Sequence, residues 1–186
     1  MAADIARGRV PAPDDDRQAD LYEQAAETLD AAGYDGYEVS NWARREGGSS
    51  LPNRSRHNLL YWRNGEYLGF GVGAHSHFRG RRFGNGPLVR RYIERVAAGT
   101  HAPAVDEAID AATAMAETMM LGLRLAEGVA HAAFRARHGA DLATVYGPQL
   151  AELASLGLLV DDGEAVRLTR RGRLVANEVV LRFLPE

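Results

Sequence analysis

Cysteine is absent from the 186 residues. A disulfide, a thiolate zinc site, an iron–sulfur cluster held by this chain and a Cys nucleophile are therefore all excluded. Lysine is absent as well, since all 22 basic residues are arginine. That removes Schiff-base chemistry and the P-loop phosphate site, which both depend on lysine. No apolar run approaches the ~18 residues of a membrane span. The first residues, MAADIARGRVPAPDDD, lack the apolar core of a secretory signal. The expected location is the cytoplasm.

What remains is a globular composition, 46% hydrophobic and 25% charged, long enough for one large domain or a medium and a small one. The net charge of −3 is unevenly spread. Residues 1–53 carry 5 arginines against 11 acids, net −6. Residues 54–95 carry 9 against 2, net +7, and residues 96–186 carry 8 against 12, net −4. The guanidinium fork suits carboxylate or phosphate, and a solvated basic surface is the equally open alternative for the central band.

Turn signals and periodicity divide the chain. Residues 14–33 predict a helix capped by Asp14 and stopped at Gly33. YEVSN (37–41) reads as a short strand, and the glycine- and serine-rich stretch after it as loop. Residues 57–64 predict one or two helical turns ending at Asn64-Gly65. YLGFGVGAH (67–75) reads as a buried, glycine-bearing strand closely approached by another backbone or a ligand, followed by a hairpin turning at Gly80. A helix is expected from Pro87 to Ala98, and residues 100–103 form a joint. Residues 106–123 predict an amphipathic helix with Ile109, Ala112, Met115, Met119 and Leu123 on one stripe. VAHAAFRARHG is a second helix, and Asp141 to Leu156 a third, kinked near Gly147-Pro148. Strand, Asp162-Gly163 turn and strand follow, then a helix from Arg171 to Phe183. Three helices, a ribbon and a closing helix suggest a winged helix. Residues 161–186 hold five arginines and five acids, so the basic footprint of a DNA-binding module is missing.

Residues 55–77, SRHNLLYWRNGEYLGFGVGAHSH, gather three of the six histidines. His75 and His77 would share one face of a strand, but no third ligand stands in register for a metal. His57 and Tyr61 are four apart, so on a helix they face the same way. Both residue types are axial haem ligands, and Arg54, Arg56, Arg63, Arg79, Arg81 and Arg82 are near enough in sequence to neutralise propionates. The residues alone equally allow His57 as a helix-end hydrogen bonder and Tyr61-Trp62 as core.

The runs YEVSNWAR (37–44), RHNLLYW (56–62) and GEYLGFGVGAHS (65–76) resemble the coproporphyrinogen-III-oxidase-like radical-SAM proteins, and within them the branch regarded as haem chaperones. So do ETMMLGLRL (117–125), YGPQL (146–150), LGLLV (156–160) and LTRRGRLVANEV (168–179). The resemblance implies an α/β fold: the late part of a partial, TIM-like β/α barrel over residues 1–99, then a helical winged-helix-like domain over 100–186. It implies haem binding at a His-Asn-x-x-Tyr motif, with His57 and Tyr61 as the iron contacts and Asn58 beside them. Gly71, Gly73, Ala74, His75 and Ser76 would line a cofactor or substrate pocket, and Arg56, Arg63, Arg81 and Arg82 would meet propionates or other carboxylates.

The family's cysteine triad and most of its SAM contacts have no counterpart here. The resemblance therefore implies a C-terminal fragment that is not catalytic alone, with the cluster and S-adenosylmethionine belonging to a longer parent. The expected partners are haem or a porphyrin, a haem-acceptor protein and the missing N-terminal half of the barrel, not a membrane or nucleic acid. Two other readings stand beside the haem chaperone: a fragment of an oxygen-independent coproporphyrinogen III oxidase, and a stand-alone winged-helix interaction module.

Overall fold

Asp14 caps the first helix by accepting a hydrogen bond from the Arg17 backbone N–H at 3.1 Å. Asp15 and Asp16 in its first turn complement the helix dipole. This helix, α1 (Asp15–Ala31), stops as expected before Gly33, whose φ is +84°. The structure, a computed structural model, describes residues 4, 5, 7–9, 11, 14–49, 51–100 and 103–185. The centre of the predicted joint at residues 100–103 lies outside them. The chain falls into two compact units, Met1–Arg54 and Ser55–Glu186.

In the first unit, α1 is followed by an antiparallel hairpin of β1 (Tyr34–Glu38) and β2 (Asn41–Arg44). The predicted strand over 37–41 is corrected here, because the chain reverses within it. Ser40 and Asn41 are turn formers, and the Asn41 amide donates to the Glu38 carboxylate across the reversal. Tyr37 and Ala43 are buried, and the Tyr22 hydroxyl donates to the Val39 carbonyl at 3.0 Å, tying α1 to the hairpin.

The second unit opens with α2 (Arg56–Trp62), then β3 (His75–Phe78) and β4 (Arg81–Gly84). These strands form the expected hairpin. Arg79 and Gly80 both take positive φ, +50° and +70°, which a two-residue hairpin turn of matching twist requires. After α3 (Val89–Ala97), β5 (Val105–Ala108) pairs antiparallel with β4 and completes a three-stranded sheet. The helix expected over 106–123 is thus shorter. It is α4 (Ala111–Gly122), capped by Asp110, which accepts from the Thr113 N–H at 2.8 Å. Asp106 and Glu107 are strand residues that pair with Arg81 and Arg82 of β4.

The apolar core lies in the remainder. α5 (His131–His138) ends at Gly139 in the left-handed region, and α6 (Leu142–Ser155) bends at Tyr146, as Pro148 demands by crowding the preceding turn. β6 (Val129–Ala130), β7 (Leu159–Asp161) and β8 (Ala165–Leu168) form an antiparallel sheet of order β6-β8-β7. Two short helices, α7 (Arg170–Leu174) and α8 (Ala176–Leu181), replace the single closing helix predicted, because Val175 leaves helical geometry at φ −116°, ψ 30°. Met119, Leu123, Phe134, Leu142, Leu153, Val166 and Val179 are all but fully buried. Each such side chain contributes about 1.5–3 kcal/mol.

His138 sits at the edge of this core, with Nε2 3.0 Å from Thr118 Oγ1 and its ring 4.7 Å from that of Phe134. Burial, and then the charge of Arg137, push its pKa below the ordinary histidine value. The unfolded chain therefore takes up this proton before the folded one does. Stability from this group is complete above about pH 6.5 and is lost as pH falls through the lower folded value. The urea midpoint is expected to drop between pH 7 and pH 5, and His138→Gln to flatten that slope.

Candidate functional site

The Ser55 hydroxyl caps α2 by accepting from the Asn58 N–H at 3.2 Å. At the other end Asn64 turns left-handed, at φ +50°. The Asn64 N–H bonds the Tyr61 carbonyl at 2.9 Å, and the Gly65 N–H bonds the Leu60 carbonyl at 2.8 Å. These bonds close the helix in the manner of a glycine-terminated cap. The stop at Asn64-Gly65 was legible in the sequence, whereas the Ser55 cap starts the helix one residue before the expected 57. Leu59 is the buried anchor, which turns His57 to solvent and leaves Asn58 and Tyr61 half-buried.

The helical spacing does bring His57 and Tyr61 together, with ring centroids 4.9 Å apart and planes at 90°. Tyr61 in turn meets the ring of Tyr67 edge-on at 4.6 Å, and Tyr67 meets His77 at 6.3 Å. Four rings thus run in a row from α2 to β3. His77 Nδ1 lies 3.2 Å from the Gly65 carbonyl oxygen, which holds the last ring against the end of α2. Sequence spacing missed Tyr67. The signal was the 67–77 separation, which only the fold-back of the intervening loop makes short.

That loop is the predicted strand over 67–75, and the prediction is corrected. Tyr67 forms an isolated bridge to His77 and His75 opens β3 opposite Gly84, while residues 68–74 between them lie outside any strand. Gly71 and Gly73 have φ of +104° and +67°, outside the strand region, and Phe70 is 86% exposed. Close approach by another backbone does occur, at Gly69, two and four residues before the glycines singled out: a Cβ there would collide with the His75 carbonyl oxygen. Ala74 accepts from the Asn85 N–H at 2.8 Å, and buried Ser76 accepts from the Gly69 N–H at 2.9 Å. Strand alternation separates Ser76 from His75 and His77. Ser76 faces a cleft of about 490 Å³ that also involves Phe83, Arg91 and Tyr92, while His77 joins the ring row and His75 is exposed. Of the five residues of the expected pocket, Ser76 alone lines this cleft.

Three of the four arginines singled out already face carboxylates. Arg63 pairs with Glu127 at 2.8 Å and Arg81 with Asp106 at 2.8 Å. Arg82 bonds the buried Glu117 and lies 3.5 Å from Glu107. The Glu117 hydrogen bond raises the Arg82 pKa, against the opposing effect of burial. Arg56 is exposed on the first turn of the motif helix. Among the described residues no three His, Cys, Asp or Glu side chains are gathered to hold a metal ion. No helix among them is long and apolar enough to cross a membrane.

A mixed α/β chain with this motif helix and this C-terminal core has clear relatives. Residues 109–175 match the HemN C-terminal domain family, and the chain belongs with the HemW- and HemN-like radical-SAM proteins, whose C-terminal portion it matches. It is 36% identical over 186 residues to the heme chaperone HemW of Bacillus subtilis, covering 97% of this chain and 46% of that one. It is 38% identical to the heme chaperone HemW of Mycobacterium tuberculosis, over 99% of this chain and 44% of the relative. To the mouse radical S-adenosyl methionine domain-containing protein 1, mitochondrial, it is 30% identical, over 100% and 43%. Among solved structures, the radical-SAM coproporphyrinogen III oxidase HemN of Escherichia coli superposes with a TM-score of 0.68 at 18% identity, over 92% of this chain and 42% of that one. That likeness establishes the shared fold. The chain spans less than half the length of these relatives.

Proposed function

We propose that this chain is the haem-binding part of a HemW-like protein, which holds haem as cargo at the exposed end of α2 for transfer to an acceptor protein in the cytoplasm. The observation that carries the reading is the ring contact of His57 with Tyr61 at 4.9 Å, within a chain 36% identical to a protein named as a heme chaperone. On the barrel reading, α2, β3 and β4 close the late side of a partial β/α barrel. On the winged-helix reading, α4 to α8 with the β6-β8-β7 sheet form the domain that supports it.

The contact itself favours one iron ligand over two. Side chains that touch on one face of one helical turn leave no room for a porphyrin to pass between them, so they do not bind opposite faces of one iron. Imidazole is the commonest side-chain metal ligand. His57 is the exposed member, and Tyr61 is held between His57 and Tyr67. His57 is therefore assigned as the iron ligand. Tyr61 is assigned to packing against the imidazole and Asn58 to its flank, with exposed Arg56 as the arginine best placed for a propionate. Arg63, Arg81 and Arg82 would first have to leave their carboxylates.

The iron–sulfur cluster of the radical-SAM class does not fit these residues, because the chain supplies no thiolate. No reaction step is assigned to it, and the coproporphyrinogen III oxidase reading receives none from these 186 residues. The test is a haemin titration followed at the Soret band. Saturable binding by the chain, lost in the His57→Ala, Tyr61→Phe double variant, is expected. Equal affinity in the two proteins would sink the assignment.

A further inference from the structure

The end of the motif helix is held by residues far away in sequence. The guanidinium of Arg137, on α5, donates through Nη1 to the Arg63 carbonyl at 3.0 Å and through Nη2 to the Asn64 carbonyl. Those carbonyls lie just past the last turn of α2, where helix carbonyls lack backbone partners. One rigid fork therefore grips two consecutive peptide groups. Beside it, the Arg63 side chain donates to Glu127 through Nε at 3.1 Å and Nη2 at 2.8 Å. Arg124 lies 5.5 Å from the centre of the Trp62 ring and also donates to Asn177 at 2.9 Å. Three contacts thus converge on residues 62–64, directly after Tyr61. Arg124, Glu127 and Arg137 all lie in the segment that matches the HemN C-terminal domain family.

Apolar packing does not fix this helix end by itself. A solvent-open cleft of about 440 Å³ lies beside it, lined by Trp62, Leu125, Val129 and Phe134 together with Arg63, Glu127 and Arg137. Close packing fixes orientation only where atoms fill the space. Leu59 anchors the buried face of α2, and the polar contacts at its end add a second hold on its tilt and so on the direction in which His57 points.

We propose that Arg137 is a positioning residue for the haem-binding helix, acting through the carbonyls of Arg63 and Asn64, so that the C-terminal domain sets the presentation of His57. This rests on the haem-binding reading above and assigns Arg137 no contact with haem. It gives the domain a role in this chain that its fold alone does not state.

The chain has two tryptophans, so a Trp42→Phe background leaves Trp62 as the sole indole reporter at the clamp. In that background, Arg137→Ala is expected to shift Trp62 emission without any ligand. It is also expected to weaken haemin binding by about tenfold, the range seen when residues supporting a metal ligand are removed, and to move the Soret band toward that of His57→Ala. Arg137→Lys keeps the charge and reaches one carbonyl without the fork, so it should recover part of the loss. Wild-type affinity and an unmoved Soret band in Arg137→Ala would overturn the proposal. Should the alanine variant lack native circular dichroism, the lysine variant decides. Reduced affinity in a folded Arg137→Lys protein supports the clamp, and wild-type affinity overturns it. If the parent chain shows no His57-dependent haemin binding, the haem reading fails on its own account and Trp62 emission alone judges the clamp, an unchanged spectrum in Arg137→Ala counting against it.

Discussion

His57→Ala is expected to weaken haemin binding by about 100-fold, equivalent to ~2.7 kcal/mol, while Tyr61→Phe weakens it by less than about tenfold. The asymmetry follows from the geometry. Alanine removes the only nitrogen donor on the exposed face of α2. Phenylalanine removes a hydroxyl but keeps the ring that stands edge-on to His57 at 4.9 Å and to Tyr67 at 4.6 Å. Edge-to-face contacts of this kind survive the loss of a phenol oxygen. Haemin titrations of the two single variants, with Soret positions recorded, check the ranking. Equal losses would mean that the Tyr61 oxygen itself meets the iron. A larger loss in Tyr61→Phe would exchange the two roles.

Replacement of Arg82 by methionine is the second large effect expected, and it acts on stability. Arg82 on β4 and Glu117 on α4 are 35 positions apart and joined by a charge-assisted hydrogen bond. Their exposures differ: the Glu117 side chain is 11% exposed and that of Arg82 36%. Removing Arg82 strands a buried carboxylate, and leaving such a charge unpaired is what makes broken buried pairs costly. Removing the charge of Glu117 leaves a guanidinium that water partly reaches and that still has Glu107 at 3.5 Å. Solvent screening lowers the value of that half of the pair. Arg82→Met should therefore destabilise the chain by about 2–3 kcal/mol, and Glu117→Gln by about 1 kcal/mol. Urea unfolding followed by circular dichroism at pH 7 measures both, and equal losses would show that Glu117 is better hydrated than its exposure implies.

The same arginine shows what a linear reading of the basic band leaves out. An abundance of arginine between residues 54 and 95 reads as a store of free cations for carboxylates. Arg63, Arg81 and Arg82 instead have their acids elsewhere in the chain, at Glu127, Asp106 and Glu117. Charge balance over a linear segment does not register partners brought in by folding. The glycine run 69–73 misled for a related reason. Apolar letters between glycines look like a buried strand, but positive φ at Gly71 and Gly73 turns the chain back on β3 and leaves Phe70 in solvent. The strand expected over 37–41 failed because a turn was hidden in it, closed by the side chains of Glu38 and Asn41.

Where a feature depends on neighbours three or four residues apart, the sequence by itself determined it. The end of the motif helix follows from the Asn64-Gly65 stop. The meeting of His57 and Tyr61 follows from the 3.6-residue helical period, and the hairpin at Gly80 and the bend near Pro148 follow from backbone chemistry that each residue carries with it. Only the tertiary structure decided what lies beyond that reach. It placed Tyr67 and His77 in line with the motif, took three arginines out of the pool of free cations, and gripped the end of α2 with Arg137 from 74 positions away. Local geometry is written in adjacent residues, whereas the partner of a charge or a ring is settled when distant segments pack together and water is excluded between them.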